Sequence, residues 1–254
     1  MKQELLKKSI GVVGLGYVGL PLAIEFSKKY NTVGFDINSS RVDELKNYKD
    51  SSNEVTSDVL SSTTLQLTNK ISDISECNVY IVTVPTPVSQ NKKPDLNPIS
   101  LASKLIGKLL KKQDIVIYES TVYPGVTEEF CAPILEKNSN LKYNEDFFCG
   151  YSPERINPGD KEHTLKKNIK ITSGSDEKTA KTVDMLYKSI VEAGTHLASS
   201  ISVAEAAKVI ENIQRDVNIA LVNEFAKIFT KLNLNTNEIL KAAETKWNFM
   251  PFKP

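Results

Sequence analysis

Histidine, cysteine and tryptophan are scarce in this chain: two, three and one among 254 residues. His163 and His196 make no metal cluster with the cysteines, because Cys77, Cys131 and Cys149 have neither metal-ligand spacing nor a framework pattern. That excludes a zinc module and a disulfide scaffold, and fits a reducing compartment. No apolar run nears the roughly 18 residues that a membrane span needs. An excess of one charge is also missing: 32 Lys and Arg face 31 Asp and Glu, a formal net charge of +1. The lysine pairs, such as Lys28-Lys29 and Lys111-Lys112, form no basic stripe, so neither nucleic acid nor a membrane is expected as a partner. Met1 to Lys8 is polar and leads directly into the first strand, unlike a signal peptide. A cytoplasmic location is expected.

What is present begins at Ser9. Ile10-Gly11-Val12-Val13 reads as a buried parallel strand, followed by Gly14, Gly16 and Gly19 at G-x-G-x-x-G spacing. A helix follows from Leu20 to Tyr30, then a second strand, Thr32-Val33-Gly34-Phe35, ending in Asp36. Gly14 allows the tight turn, Gly16 leaves room for a pyrophosphate, and Gly19 permits close helix packing. The helix start offers N–H groups and a positive dipole end to phosphates. Tyr17 and Val18 lie within this loop. Asp36 can accept both adenosine ribose hydroxyls and repels a 2′-phosphate, so NAD is expected rather than NADP. Arg41, a few residues on, either covers the adenine face or sits on a helix surface.

Strand and helix patterns then alternate. Val79 to Val84 is a buried central strand, stopped by Pro85-Thr86-Pro87. Asn97 is expected to cap a helix carrying Pro98 at its first position. Asp114 to Thr121 is a further strand ending in Glu119, Ser120 and Thr121. Pro124 is expected to start a helix that Pro133 kinks or ends. Phe147 to Tyr151 and Ile169 to Thr172 are strands, and Ser39 or Ser40, and later Ser175, are candidate helix caps. The alternation indicates an α/β domain reaching roughly Thr195. From Ser202 to about Leu232 one long amphipathic helix follows, its stripe including Val203, Ile210, Val217, Leu221, Phe225, Ile228 and Leu232. Asn235 with Glu238 begins a second helix. The aromatic segment Trp247 to Phe252 ends abruptly, so the polypeptide is expected to be truncated.

Lys208, Asn212 and Arg215 share one helix face, opposite the expected core stripe. They are either an ordinary solvated face or a site where an ammonium stabilises an alkoxide and an amide holds a hydroxyl or water. Glu119, Thr121 and Glu154 follow strands, where side chains of this architecture face the crevice. Cys149, inside an apolar run, reads as an inert thiol before a nucleophile.

Several motifs together resemble the nucleotide-sugar 6-dehydrogenases, a family that includes UDP-glucose dehydrogenase. They are Gly14-Leu15-Gly16-Tyr17-Val18-Gly19-Leu20-Pro21, Val84-Pro85-Thr86-Pro87, Glu119 to Gly125, Tyr151 to Gly159, and Ala204 to Asn212. Arg155 and Gln214-Arg215-Asp216 resemble the branch acting on UDP-N-acetylhexosamines, and Thr245 to Phe252 its UDP-N-acetylgalactosamine members. The resemblance implies a Rossmann-like, doubly wound, mostly parallel sheet over 1–198, followed by a long-helix dimerisation region over 199–254.

The implied reaction is a four-electron oxidation of the sugar C6 alcohol to a carboxylate for surface polysaccharide synthesis, with two NAD reduced. Lys208, Asn212, Glu154 and Thr121 take the catalytic positions. Gly14, Gly16, Tyr17, Val18, Gly19, Asp36, Arg41, Val84, Pro85, Thr86, Glu119, Ser120 and Thr121 surround NAD. Glu154, Arg155, Lys208, Asn212 and Arg215 meet the substrate, and two chains pair through the long helix. The family's nucleophilic cysteine and its C-terminal UDP-binding domain are absent here, so the chain is expected to be inactive alone. The alternatives are a dehydrogenase for UDP-N-acetylmannosamine or UDP-glucose, a two-electron hydroxyacid dehydrogenase, and a non-catalytic NAD-binding dimer.

Overall fold

Runs rich in Val, Ile, Tyr and Phe, each stopped by glycine, proline or a polar cluster, set the strands of this chain. The structure is a computed structural model describing residues 8–155 and 165–252. The expectations for Ile156 to Gly159 and for His163 lie outside the described residues.

The strands are β1 (Ser9–Val13), β2 (Asn31–Phe35), β3 (Gln66–Thr68), β4 (Val79–Val82), β5 (Ile115–Tyr118), β6 (Phe148–Tyr151), β7 (Lys170–Gly174) and β8 (Thr195–Leu197). They form one sheet in the order β3-β2-β1-β4-β5-β6-β7-β8, parallel except between β6 and β7. This is the expected α/β, Rossmann-like class. The order reverses beside β1, which opens a crevice at the strand carboxyl ends.

Register decides what enters that crevice. Val13 pairs with Phe35 and Val82, Val82 with Tyr118, and Tyr118 with Tyr151. The next residues, Gly14, Asp36, Thr83, Glu119 and Ser152, therefore leave the sheet along one edge.

Among the described residues of the first compact unit, 1–206, lie the α-helices α1 (Gly19–Ser27), α2 (Ser39–Lys46), α3 (Ser57–Ser62), α4 (Asn97–Gly107), α5 (Ala132–Ser139) and α6 (Glu177–Lys188). One side of the sheet packs Leu20, Leu22 and Phe26 of α1 with Leu186 and Tyr187 of α6. The other packs Ile99 and Ile106 of α4 with Leu135 of α5. Each such buried side chain contributes roughly 1.5–3 kcal/mol of transfer free energy.

Several local expectations are corrected. Asn38, not Ser39 or Ser40, caps α2, accepting from the Ser40 and Arg41 amides. Asp176, not Ser175, caps α6, accepting from the Thr179 amide at 2.6 Å; a carboxylate in extended backbone suits that position. Asn97 lies inside α4, and Asp95 accepts its amide at 2.9 Å. Pro133 does not end a helix: a π-turn, Val126–Cys131, leads into α5, with Pro133 in its first turn. Proline is tolerated there because first-turn amides have no helical acceptor. Strand β8 was not legible in Thr195-His196-Leu197.

Helix α7 (Ile201–Lys231) begins in the first compact unit and continues into the second, residues 207–254. There α8 (Thr236–Ala243) follows, capped by Asn235. The stripe read as core is exposed among the described residues. Ile210, Val217, Leu221, Phe225, Ile228 and Leu232 are exposed, Ile210 by 63%. An amphipathic period specifies an apolar face, not the surface that covers it.

Candidate cofactor and catalytic site

The glycine loop has the geometry of a phosphate cradle. Gly14 has φ +101°, and a Cβ there would meet the Thr83–Val84 backbone at 3.2 Å. A Cβ on Gly19 would lie 1.9 Å from the Gly14 carbonyl oxygen, so only glycine permits this approach. A Cβ on Gly16 would meet nothing within 4 Å. That is the room a pyrophosphate needs, and the start of α1 has no side-chain cap competing for its amides. Tyr17 is exposed and Val18 half-buried at this opening. Asp36 accepts the Leu15 amide at 2.8 Å through one carboxylate oxygen and the Asn38 amide at 2.9 Å through the other. Both oxygens keep lone pairs for ribose hydroxyls. The residues present fit a dinucleotide. Thr83, not anticipated, fastens the turn by donating to the Gly14 carbonyl at 2.7 Å.

Next along the edge, two loops are sewn together. Ser120 Oγ donates to the Val84 carbonyl at 2.6 Å, and Thr86 Oγ1 donates to the Thr121 carbonyl at 2.6 Å. This brings Val84, Pro85 and Thr86 beside Glu119, Ser120 and Thr121. The Glu119 amide donates to the Val82 carbonyl at 2.8 Å, continuing the ladder one residue past the strand. Thr121 is exposed, whereas Glu119 and Ser120 are buried.

Glu119 and Glu154 meet at a residue that the sequence did not single out. Lys170 is 3% exposed, and its Nζ donates to Glu119 Oε2 at 2.8 Å and to Glu154 Oε2 at 2.5 Å. The Tyr187 hydroxyl donates to Glu119 Oε1, and Lys170 Nζ lies 5.3 Å from the Tyr187 ring centroid. Glu154 Oε1 accepts the Arg155 amide at 2.7 Å. Burial alone would lower the Lys170 pKa, but the two carboxylates outweigh it and hold the ammonium charged, above its usual value. Burial pushes Glu119 up despite Lys170, with Glu154 adding to the rise. One cation thus bridges the acid after β5 to the acid after β6. The only hint in the sequence is a lysine between Ile169 and Ile171, since its partners are 51 and 16 residues away.

Arg41 is not a plain surface arginine. Its Nε donates to the Leu15 carbonyl at 2.9 Å, and it pairs with Glu44 at 3.0 Å and Asp50 at 2.7 Å. On α7, Lys208 is buried, Asn212 and Arg215 are half-buried, and Arg215 pairs with Glu211 at 3.4 Å. The three share a face by helical spacing. Glu205 is structural: it accepts the Gly125 and Thr127 amides at 2.6 and 3.0 Å and the Thr127 hydroxyl at 2.7 Å. All three cysteines are buried, and burial pushes the Cys149 thiol well above its usual value. None has the exposed, electropositive setting of a nucleophile. Among the described residues no group of side chains is arranged to hold a metal, and no helix is long and apolar enough to cross a membrane.

Comparison with known proteins agrees with this geometry. Residues 8–191 match the NAD binding domain of the UDP-glucose/GDP-mannose dehydrogenase family, and residues 202–254 its central domain. The chain is 61% identical over 246 residues to a UDP-N-acetyl-D-glucosamine 6-dehydrogenase of Pseudomonas aeruginosa, covering 96% of this chain and 58% of that protein. It is 55% identical over 249 residues to Protein CapL of Staphylococcus aureus, covering 98% and 59%. The solved structure of a UDP-D-ManNAc dehydrogenase from Pyrococcus horikoshii superposes with a TM-score of 0.87 at 34% identity, over 97% of this chain and 60% of that one. The chain therefore spans a little under three fifths of the length of these curated relatives. With its glycine cradle, its NAD-binding domain and its central helix, this chain belongs to the UDP-glucose/GDP-mannose dehydrogenase family.

Proposed function

We propose that this chain supplies the NAD-binding half and central helix of a UDP-N-acetylhexosamine 6-dehydrogenase, which oxidises the C6 alcohol to a carboxylate. Residues 1–198 bind the nucleotide and 199–254 pair two chains. The observation carrying the reading is the Glu119–Lys170–Glu154 bridge, which joins the nucleotide loops to a second acid on the same edge of the sheet. NAD, when bound, accepts the hydride. Glu119, Ser120 and Thr121 shape its nicotinamide side together with Val84, Pro85 and Thr86. Glu154 and Thr121 manage the water that hydrolysis consumes, and Lys208 and Asn212 stabilise and orient the reacting oxygen. Arg155 and Arg215 face the nucleotide-sugar.

The names of relatives such as the 61% identical protein make UDP-N-acetyl-D-glucosamine the first substrate to test. The galacto epimer, suggested by Thr245 to Phe252, comes second. The nucleophile that a thioester route requires is not among the three buried cysteines. The 254 residues alone are therefore expected to bind NAD and make essentially no uronate.

The test is NADH release with mass analysis of the sugar nucleotide. It compares this chain with a fusion extended to the length of its relatives, on the gluco, galacto and manno epimers and on UDP-glucose. Two NADH per uronate from the longer form supports the reading, and one NADH per product refutes it. Robust uronate production by the 254-residue chain would overturn the claim that it is inactive alone.

A further inference from the structure

The adenosine end of the cradle contains an arginine where a site for a 2′-phosphate would want one. In dinucleotide folds an acid at the end of the second strand selects NAD, and a nearby arginine accommodates the 2′-phosphate of NADP. This chain has both, Asp36 and Arg41, at opposite ends of the Leu15 residue. The Leu15 amide donates to Asp36, and Arg41 Nε donates to the Leu15 carbonyl. An acid and a basic side chain this close send contradictory signals unless one of them is occupied.

Arg41 is occupied. Its Nη1 donates to Glu44 Oε1 at 3.0 Å and points to Ser51 Oγ at 3.4 Å. Its Nη2 donates to Asp50 Oδ1 at 2.7 Å and points to Ser52 Oγ at 3.3 Å. With Nε on Leu15, each guanidinium nitrogen already faces an acceptor. The clamp is itself fixed. The Asp50 side chain is fully buried, and its second oxygen accepts the Glu54 and Val55 amides, each at 3.0 Å. Ser52 donates to Oδ1 through its amide at 3.0 Å and its hydroxyl at 2.5 Å. Glu44 accepts the Ser51 amide and hydroxyl. Burial alone would raise the Asp50 pKa, but the bonds from Ser52, Arg41 and Val55 outweigh it and hold the carboxyl below its usual value. Two carboxylates, Glu44 and Asp50, thus pair with one guanidinium, a local charge of −1 from these three groups.

We propose that Asp50, assisted by Glu44, is a specificity-determining residue: by capturing Arg41 it denies a 2′-phosphate its counter-charge, so NAD preference rests on the clamp as well as on Asp36. The proposal rests on the adenosine end lying at Asp36. It predicts that removing Asp36 is not enough. Asp36→Ala narrows the preference for NAD over NADP by about tenfold, yet leaves Arg41 held. Asp50→Asn with Glu44→Gln releases Arg41 and narrows it about tenfold further, and Arg41→Ala in that background cancels the second gain.

The experiment is calorimetric titration of the 254-residue chain and these variants with NAD and with NADP, alongside thermal unfolding. The readout is the ratio of the two dissociation constants. A merely structural clamp would weaken both nucleotides together and leave the ratio unmoved, and that result overturns the proposal. So does a full switch to NADP by Asp36→Ala alone. If Asp50→Asn does not fold, Glu44→Gln by itself must still move the ratio toward NADP, and an unchanged ratio counts against the clamp. Failure of the unaltered chain to bind NAD would sink the placement of the adenosine end. NAD binding with an unmoved ratio sinks only the role given to Asp50.

Discussion

Replacing Lys170 with methionine is the sharpest test of the buried bridge. Methionine keeps much of the length and apolar stem of lysine and removes the charge. The Glu119 and Glu154 side chains are 0% and 5% exposed, so the variant leaves two carboxylates buried together without their cation. Breaking a buried pair in this way costs about 3–5 kcal/mol. For a unit of this size, 1 kcal/mol corresponds to roughly 2–4 °C, so the midpoint should fall by about 6–20 °C. The pH dependence follows from the shifts. Lys170 has a folded pKa above its unfolded value, so its contribution is fully present at neutral pH and is lost only as pH rises past the ordinary lysine range. Glu119 has a folded pKa raised by burial, so the folded state takes up its proton more readily as pH falls. The deficit of Lys170→Met should therefore shrink between pH 8 and pH 5, and adding Glu119→Gln should recover part of it at pH 8. Thermal unfolding followed by circular dichroism across that range is the assay. A midpoint within about 2 °C of the unaltered chain at pH 8 would refute the claim that Lys170 neutralises the pair.

Three further outcomes are expected. Asp114 is 3% exposed and burial raises its pKa to about 6, so the folded state binds the extra proton and stability falls as pH rises from about 4 to about 6. Asp114→Asn should stabilise by about 1–3 kcal/mol at pH 7.5 and by little at pH 4, measured by denaturant unfolding; no gain at pH 7.5 would contradict this. Gly19→Ala should unfold or strongly destabilise the chain because its Cβ meets the Gly14 carbonyl. Gly16→Ala should keep the unfolding midpoint but weaken NAD in calorimetry, and equal effects of the two changes would argue against the cradle. Sedimentation at concentrations on the order of tens of micromolar should show a dimer that Val217→Asp dissociates. A clean monomer of the unaltered chain would remove the pairing role of the α7 stripe.

The glycine spacing, the β-branched runs and the acid ending β2 were legible because each is a local requirement. A tight turn needs Gly14, a buried parallel strand needs Val79 to Val82, and a ribose wants Asp36 at the end of its strand. The α/β class followed from their alternation, and the length of α7 from an apolar recurrence over a run without proline or glycine. Caps were less legible, because Asn38 and Ser39, or Ser175 and Asp176, are chemically equivalent in sequence and only backbone direction selects between them. Lys170 was invisible as a site residue, since a lysine in a strand means nothing until register and packing bring Glu119 and Glu154 to it. For Arg41 the sequence left the adenine face and the helix surface both open, and its partners, the Leu15 carbonyl and the buried Asp50 carboxylate, became visible only in the fold. Sequence alone determined which residues want to turn, bury or accept. Tertiary structure decided which charges meet, because electrostatic partnership depends on distance and desolvation, and neither is written in the order of residues along the chain.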